Sequence, residues 1–205
     1  MSLLSSHIEK MFVVYTTVQD LLQARGYPIN RFITTFDEFK HRFVKHTTIC
    51  REDLDMQFDD LSGHGSVFVI FLTSPEKKAI SVQQIRTIVE RLASHTVSNC
   101  ILIHEQPLST GAKKELEKID GIEPFEECQL LFNVHQHKIV PPYRKLNVSE
   151  KAKLMEKYKL RDHMLPLLQK NDPMARFLGL RRGNVVEIVR PSETAGEYTS
   201  YRVCV

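Results

Sequence analysis

Residues 172–205 read DPMARFLGLRRGNVVEIVRPSETAGEYTSYRVCV, and this stretch decides how the chain is organised. Asp172-Pro173 is a helix start: Asp accepts from unpaired backbone N–H groups, and proline at the first helical position gives up no bond. Met174, Phe177 and Leu178 fall on the packing side of that short helix, and Gly179 stops it. Arg181-Arg182-Gly183 then turns the chain into Val185-Val186-Glu187-Ile188-Val189-Arg190. Pro191-Ser192-Glu193-Thr194-Ala195-Gly196 turns it back into Tyr198-Thr199-Ser200-Tyr201-Arg202-Val203-Cys204-Val205. β-Branched and aromatic residues on both sides of a Pro/Gly turn predict a β-hairpin, with Gly183 and Gly196 at positive φ. Its second strand should fray unless a neighbour covers it.

Upstream, Asn147-Val148-Ser149-Glu150 caps a helix whose expected inner face holds Val148, Leu154, Met155 and Tyr158. Lys151, Lys153, Lys157 and Lys159 decorate it. The Pro141-Pro142 pair precedes this helix and marks a linker. Charge changes sign at the same place. Residues 1–140 hold 15 basic against 18 acidic side chains, whereas residues 141–205 hold 13 against 7. The reading is therefore two domains, 1–140 and 141–205, with different partners. A unit of about 65 residues has a thin core and gains stability from a partner.

The first domain alternates helix and strand. Ile8, Met11, Phe12, Tyr15, Val18 and Leu22 step by three and four, an apolar helix stripe that stops at Gly26 and Pro28. Thr35-Phe36-Asp37-Glu38 is a capping box opening a second helix, with Phe36, Phe39 and Phe43 on one face. Glu52, Asp53, Asp55, Asp59 and Asp60 read as a solvated loop or edge segment. Val67-Phe68-Val69-Ile70-Phe71-Leu72 is a strand buried on both faces. Ser81 and Gln84 box the start of a helix that buries Val82, Ile85, Ile88, Val89 and Leu92. Cys100-Ile101-Leu102-Ile103 is the next buried strand. A polar loop from His104 to Gly111 leads into a short helix, Ala112 to about Lys118, and 129–134 is read as the closing strand. This is an α/β domain with a mixed sheet and flanking helices, followed by a small α+β domain.

Composition excludes several classes. With 42% hydrophobic residues and a net charge of +3, the chain is not mainly disordered. The longest apolar run is 67–72, far short of the ~20 residues that span a bilayer. The amphipathic start, which carries Glu9, does not read as a signal peptide. Cys50, Cys100, Cys128 and Cys204 lie far apart without a CxxC pair, as expected of reduced thiols.

Residues 172–183 and 190–198, followed by Ser200-Tyr201-Arg202, resemble the C-terminal signature of the shared fifth-largest subunit of eukaryotic RNA polymerases I, II and III. A short subunit of the archaeal RNA polymerase carries the counterpart of that signature. Val140-Pro141, Glu156-Lys157-Tyr158-Lys159-Leu160 and Leu165-Pro166 with Gln169 follow the family order. The match is dense over 133–205 and thinner before it, where Arg25-Gly26-Tyr27 and Phe125 fit. Pro142-Tyr143 departs from it, because the family places a charged residue and then His after Val-Pro. The resemblance implies a non-catalytic polymerase subunit in the nucleus, or a viral homologue of it, without cofactor or metal. It implies a lower-jaw domain of nuclease-like topology beside downstream DNA, and an assembly domain docked on the largest subunit of the polymerase core. Transcription regulators are further expected partners.

Candidate sites follow from charge and placement. The loop and helix start carrying Pro107, Ser109, Thr110, Lys113 and Lys114 can meet duplex DNA phosphates without reading bases, and the resemblance places such a loop near downstream DNA. The acidic first domain argues for weak contact. Arg181, Arg182, Arg190, Arg202 and Tyr201 around the hairpin are expected to dock on the largest subunit, since Arg favours protein interfaces. A metal-dependent nuclease would use Glu76 and Lys78 with Asp59 or Asp60, but Pro75 makes that triplet a poor strand. Cys128, His135 and His137 lack a nearby fourth zinc ligand. No Gly-x-Ser-x-Gly elbow, Walker loop or dinucleotide fingerprint is present.

Overall fold

The computed structural model describes residues 3–29, 33–45, 48–58, 65–73, 79–94, 99–119, 121–194 and 196–205. They form two compact units, 1–132 and 133–205. The division falls upstream of the Pro141-Pro142 pair, so residues 133–140 belong with the second unit.

In the first unit, helix α1 (Leu3–Ala24) is followed by α2 (Phe36–Phe43). The two meet through inclined rings: Phe12 lies 5.4 Å from Phe39, and Tyr15 lies 5.5 Å from both Phe39 and Phe43. The expected box at α2 is displaced by one residue on its return half. Thr35 accepts from Glu38 N–H, while the Glu38 carboxylate takes the N–H of Thr34. Arg25-Gly26-Tyr27 ends α1: Gly26 adopts φ 94°, and Tyr27 N–H returns to Leu22 O at 3.1 Å.

A short antiparallel pair, β1 (Val44–Lys45) and β2 (Thr48–Ile49), precedes a 3-10 turn over Arg51–Leu54. The main sheet then contains β3 (Met56–Phe58), β4 (Val67–Leu72), β5 (Asn99–His104) and β6 (Ile122–Glu126), in that order. β3 runs antiparallel to β4, whereas β4, β5 and β6 are parallel, so the sheet is mixed as expected. Parallel neighbours need crossovers, which α3 (Val82–Ser94) and α4 (Thr110–Glu117) provide. Ile70, Cys100 and Leu102 face these two helices, packed with Ile85, Ile88 and Leu116. The alternate residues Val69, Phe71, Ile101 and Ile103 are buried on the other face. There Arg25, just past α1, reaches Glu123, whose register partner is Ile101.

The closing strand is not 129–134 but Ile122–Glu126; the segment read as strand instead holds the end of helix α5 (Glu127–Leu130), a bend, and the start of a 3-10 turn over Val134–Gln136. Pro124 and the flanking glutamates break the apolar pattern of β6. They are tolerated because β6 is an edge strand, with one side that needs no N–H donor. Of the apolar run that suggested a strand, Leu130 is buried but Leu131 and Phe132 are exposed.

The second unit is a four-stranded sheet with two main helices. Its elements are β7 (Tyr143–Lys145), α6 (Val148–Tyr158), β8 (Leu167–Leu168), α7 (Pro173–Phe177), β9 (Val185–Ser192) and β10 (Gly196–Cys204). The strand order is β7-β9-β10-β8. The expected hairpin is present, with Gly183 at φ 87° and Gly196 at φ 73°. Fraying is prevented within the chain, because β8 pairs in parallel with Val203 and Cys204. The box at α6 closes both ways between Asn147 and Glu150. Its inner face is narrower than expected: Leu154 is buried, but Val148 is 88% and Tyr158 53% exposed. Leu154 packs with Leu146, Leu165, Val185 and Val203, and those few contacts fill the small core without Val148.

Candidate interaction surfaces

The loop after β5 is held rigidly. Ile80 and Leu108 form a parallel bridge, with Ile80 N–H on Pro107 O at 3.0 Å and Ser109 N–H on Ile80 O at 3.2 Å. The hydroxyl of Ser109 caps α4 by accepting from Ala112 N–H at 3.3 Å, so the helix begins at Thr110, before the expected Ala112. Gly111 permits a close approach of α3, since a Cβ there would stand 2.8 Å from Val82 Cγ2. An Arg86–Glu115 ion pair at 2.8 Å ties the same two helices. Pro107, Thr110, Lys113 and Lys114 are exposed, and Ser109 is half-buried by its capping role. The structure therefore brings these five residues together on one pinned segment at the carboxyl end of β5.

Beside this loop the sheet end is closed by a buried cation. The Arg51 guanidinium meets Glu105 at 2.8 Å and Glu127 at 2.5 Å, and donates to Leu72 O at 3.1 Å. One side chain thus joins the end of β4, the segment after β5, and α5. Burial pushes the Glu127 carboxyl above its ordinary range against the pull of Arg51. Nothing in the acidic pattern of 52–60 announced this arrangement. Asp55 of that pattern is half-buried and accepts from Phe71 N–H at 2.9 Å, with burial raising its carboxyl to about 6.

On the second unit the register sorts the expected docking residues. Arg190 and Tyr198 are paired, as are Val186 and Arg202, so Arg190, Tyr198 and Arg202 share one face of the hairpin. The Arg190 guanidinium lies 5.1 Å from the centre of the Tyr198 ring, and with Pro191 and Ser192 these residues line a shallow depression near the hairpin tip. Arg181 and Arg182 sit at the opposite end, in the turn closed by Asn184: its side-chain oxygen accepts from Arg181 N–H, and its own N–H donates to Arg181 O. The four arginines therefore do not form one cluster. Tyr201 points to the other face, where it packs against the α6 core and donates to Glu187 at 3.1 Å. Glu187 also accepts from Arg144 Nε at 2.9 Å, and Arg144 reaches Glu150 at 2.7 Å.

Glu76, Lys78, Asp59 and Asp60 lie outside the described residues. Among the described residues no group of three or more His, Cys, Asp or Glu could hold a metal ion. Cys128 donates to Glu126 at 3.3 Å, His135 stacks on Phe177 at 5.3 Å, and His137 Nδ1 accepts from Ile139 N–H. No helix among the described residues is long and apolar enough to cross a membrane.

Two compact units, each carrying an exposed polar surface, define a small two-module protein. Both modules match family models: residues 5–92 match the RNA polymerase Rpb5 N-terminal domain, and residues 132–204 the RNA polymerase Rpb5 C-terminal domain. The chain belongs to the Rpb5 family of RNA polymerase subunits. It is 35% identical to the Dictyostelium discoideum protein described as DNA-directed RNA polymerases I, II, and III subunit rpabc1, over 97% of this chain and 98% of that one. The Caenorhabditis briggsae protein of the same description is 32% identical, with 96% of each chain covered. The Caenorhabditis elegans protein is 37% identical over 66% of each.

Proposed function

We propose that this chain is a non-catalytic subunit common to the nuclear DNA-directed RNA polymerases I, II and III. Its second unit docks on the largest subunit. Its first unit, of nuclease-like topology without nuclease activity, forms part of the lower jaw beside downstream DNA. The observation that carries the reading is co-linearity: one family domain falls on each compact unit, and the C-terminal match starts where the second unit starts. The likeness to relatives described as subunits of all three polymerases extends over nearly the whole chain.

The surfaces fit these roles. Pro107 and Ser109 are fixed by the Ile80 bridge, and Thr110 at the first position of α4, with Lys113 and Lys114 about one turn further along, is exposed with them, so the two cations can meet phosphate. Two lysines give a weak, sequence-independent contact, which needs the rest of the enzyme to hold the duplex in place. Arg190 and Arg202 offer planar cations on one strand face for carboxylates of the largest subunit, while Arg181 and Arg182 present a second, separate contact. The acidic first unit is the surface for transcription regulators.

The test is purification of the tagged full chain from its own cells. The largest subunits of all three polymerases should co-purify with it, and a chain that migrates alone overturns the reading. In the purified polymerase, Lys113→Ala with Lys114→Ala should reduce crosslinking to downstream duplex while leaving subunit composition unchanged. Undiminished crosslinking removes the DNA contact from the proposal.

A further inference from the structure

Strand β10 is protected along one side only. Its β9 side is paired from Gly196↔Ser192 to Val203↔Val185. Its other side is met by β8 at Val203 and Cys204 alone. The hydrogen bonds fix which residues look that way. Val203 and Val205 donate to Pro166 O and Leu168 O, each at 2.9 Å, on the β8 side, whereas Cys204 donates to Asn184 O at 2.8 Å on the β9 side. Backbone polar groups alternate in direction along an antiparallel strand. Tyr201, Thr199 and Glu197 therefore turn their N–H and C=O groups to the β8 side, past the point where β8 ends. Among the described residues no strand pairs there. Glu197 and Thr199 are exposed and Tyr201 is half-buried.

An unpaired edge of this kind is a ready template for an added strand, and strand addition to such an edge is a recurring mode of recognition. The flanking side chains state what the added strand must carry. Arg202, Ser200 and Tyr198 stand on one face, with Arg190 beside Tyr198, so that face favours carboxylates. Thr199 and Tyr201 stand on the other, with Glu197 toward the tip, and favour small or apolar neighbours.

We propose that the outer half of β10 receives an extended segment of the largest polymerase subunit as an added strand, its side chains alternating acidic toward Arg190 and Arg202 with small or apolar toward Thr199 and Tyr201. This rests on the docking reading above and specifies its mode: main-chain hydrogen bonds to Glu197, Thr199 and Tyr201 supply the attachment, and the arginines set its register.

Residue-resolved hydrogen exchange on the full chain, alone and within purified polymerase, tests the mode. The amides of Glu197, Thr199 and Tyr201 should exchange freely in the isolated chain and at least about 100-fold more slowly in the polymerase. Ser200 and Arg202, which bond to β9, should be protected in both. Unchanged exchange at the three outward amides, in polymerase that does contain the chain, overturns strand addition while leaving docking intact. Absence of the largest subunit from the purified material overturns docking and strand addition together. Protection that grows with concentration in the isolated chain would mean pairing with a second copy and also overturns the proposal. Thr199→Pro removes one outward N–H and spares the β9 ladder. It should keep its melting temperature and lose about tenfold or more in retention of the largest subunit. Full retention by the folded variant counts against the proposal. If the variant does not fold, exchange in the unaltered chain decides.

Discussion

The phenol of Tyr201 donates to Glu187 across the two strands of the terminal hairpin at 3.1 Å, and Glu187 in turn holds Arg144 at 2.9 Å. A residue that sequence places on a docking rim is thereby bound into the frame of its own module. Burial, and then the bond to Glu187, raise the Tyr201 hydroxyl above its ordinary value. Tyr201→Phe should cost about 1 kcal/mol of stability, the net worth of one hydrogen bond, and leave retention of the largest subunit unchanged. Chemical unfolding and co-purification check the two halves.

Arg51 makes a stronger case for architecture. Removing it leaves Glu127 half-buried without its cation, so Arg51→Ala should destabilise by about 3 kcal/mol at neutral pH. The sign with pH follows from the raised Glu127 carboxyl. Its favourable contribution is present when it is protonated, below the ordinary carboxylate value, and disappears as pH rises through the value it has when folded. The variant should therefore recover part of its lost stability in mild acid, which melting curves at several pH values would show.

Gly111 is needed for space rather than for backbone freedom. Gly111→Ala gains helix propensity, but its Cβ would press on the stiff β-branched Val82 at 2.8 Å. Overpacking should win by about 1 kcal/mol, and Val82→Ala in the same chain should restore the loss. A double-mutant cycle in denaturant measures the coupling.

Asp55 is stabilised by Phe71 N–H yet buried enough to be raised to about 6 from an unfolded value of 3.8. Its contribution to stability is greatest below about pH 4 and falls away as pH rises through about 6. Asp55→Asn keeps the acceptor and removes the charge. It should raise stability at pH 7 by about 1 kcal/mol, less than the raised value alone implies because solvent screens a half-exposed carboxyl, and flatten the slope between about pH 4 and 6. A variant that melts lower than the parent at pH 7 contradicts this.

Local signals were legible wherever the chain satisfies its own backbone nearby. The caps at Thr35, Ser81, Asn147 and Asp172 and the turns at Gly183 and Gly196 all use partners within a few residues. Strand β6 was missed because its legitimacy depends on being at an edge, a property of the sheet and not of Ile122–Glu126. Val148 was placed inward because helical spacing cannot report how wide a partner surface is. The loop residues from Pro107 to Lys114 were legible as a set, being contiguous. The arginines were not, since only the folded hairpin shows that Arg181 and Arg182 lie in the turn at its base while Arg190 stands near its tip.

From its residues alone the chain determined two modules, an α/β unit and a small hairpin-based unit, because periodicity, capping and turn chemistry act over short distances, while its family was legible only through the resemblance carried by 172–183 and 190–202. Tertiary structure decided which carboxylates Arg51 neutralises, which face Tyr201 takes, and that β8 stops after two residues and leaves Glu197, Thr199 and Tyr201 without a strand beside them. Those outcomes depend on distant segments meeting in one register, and no local pattern encodes where a neighbouring strand ends.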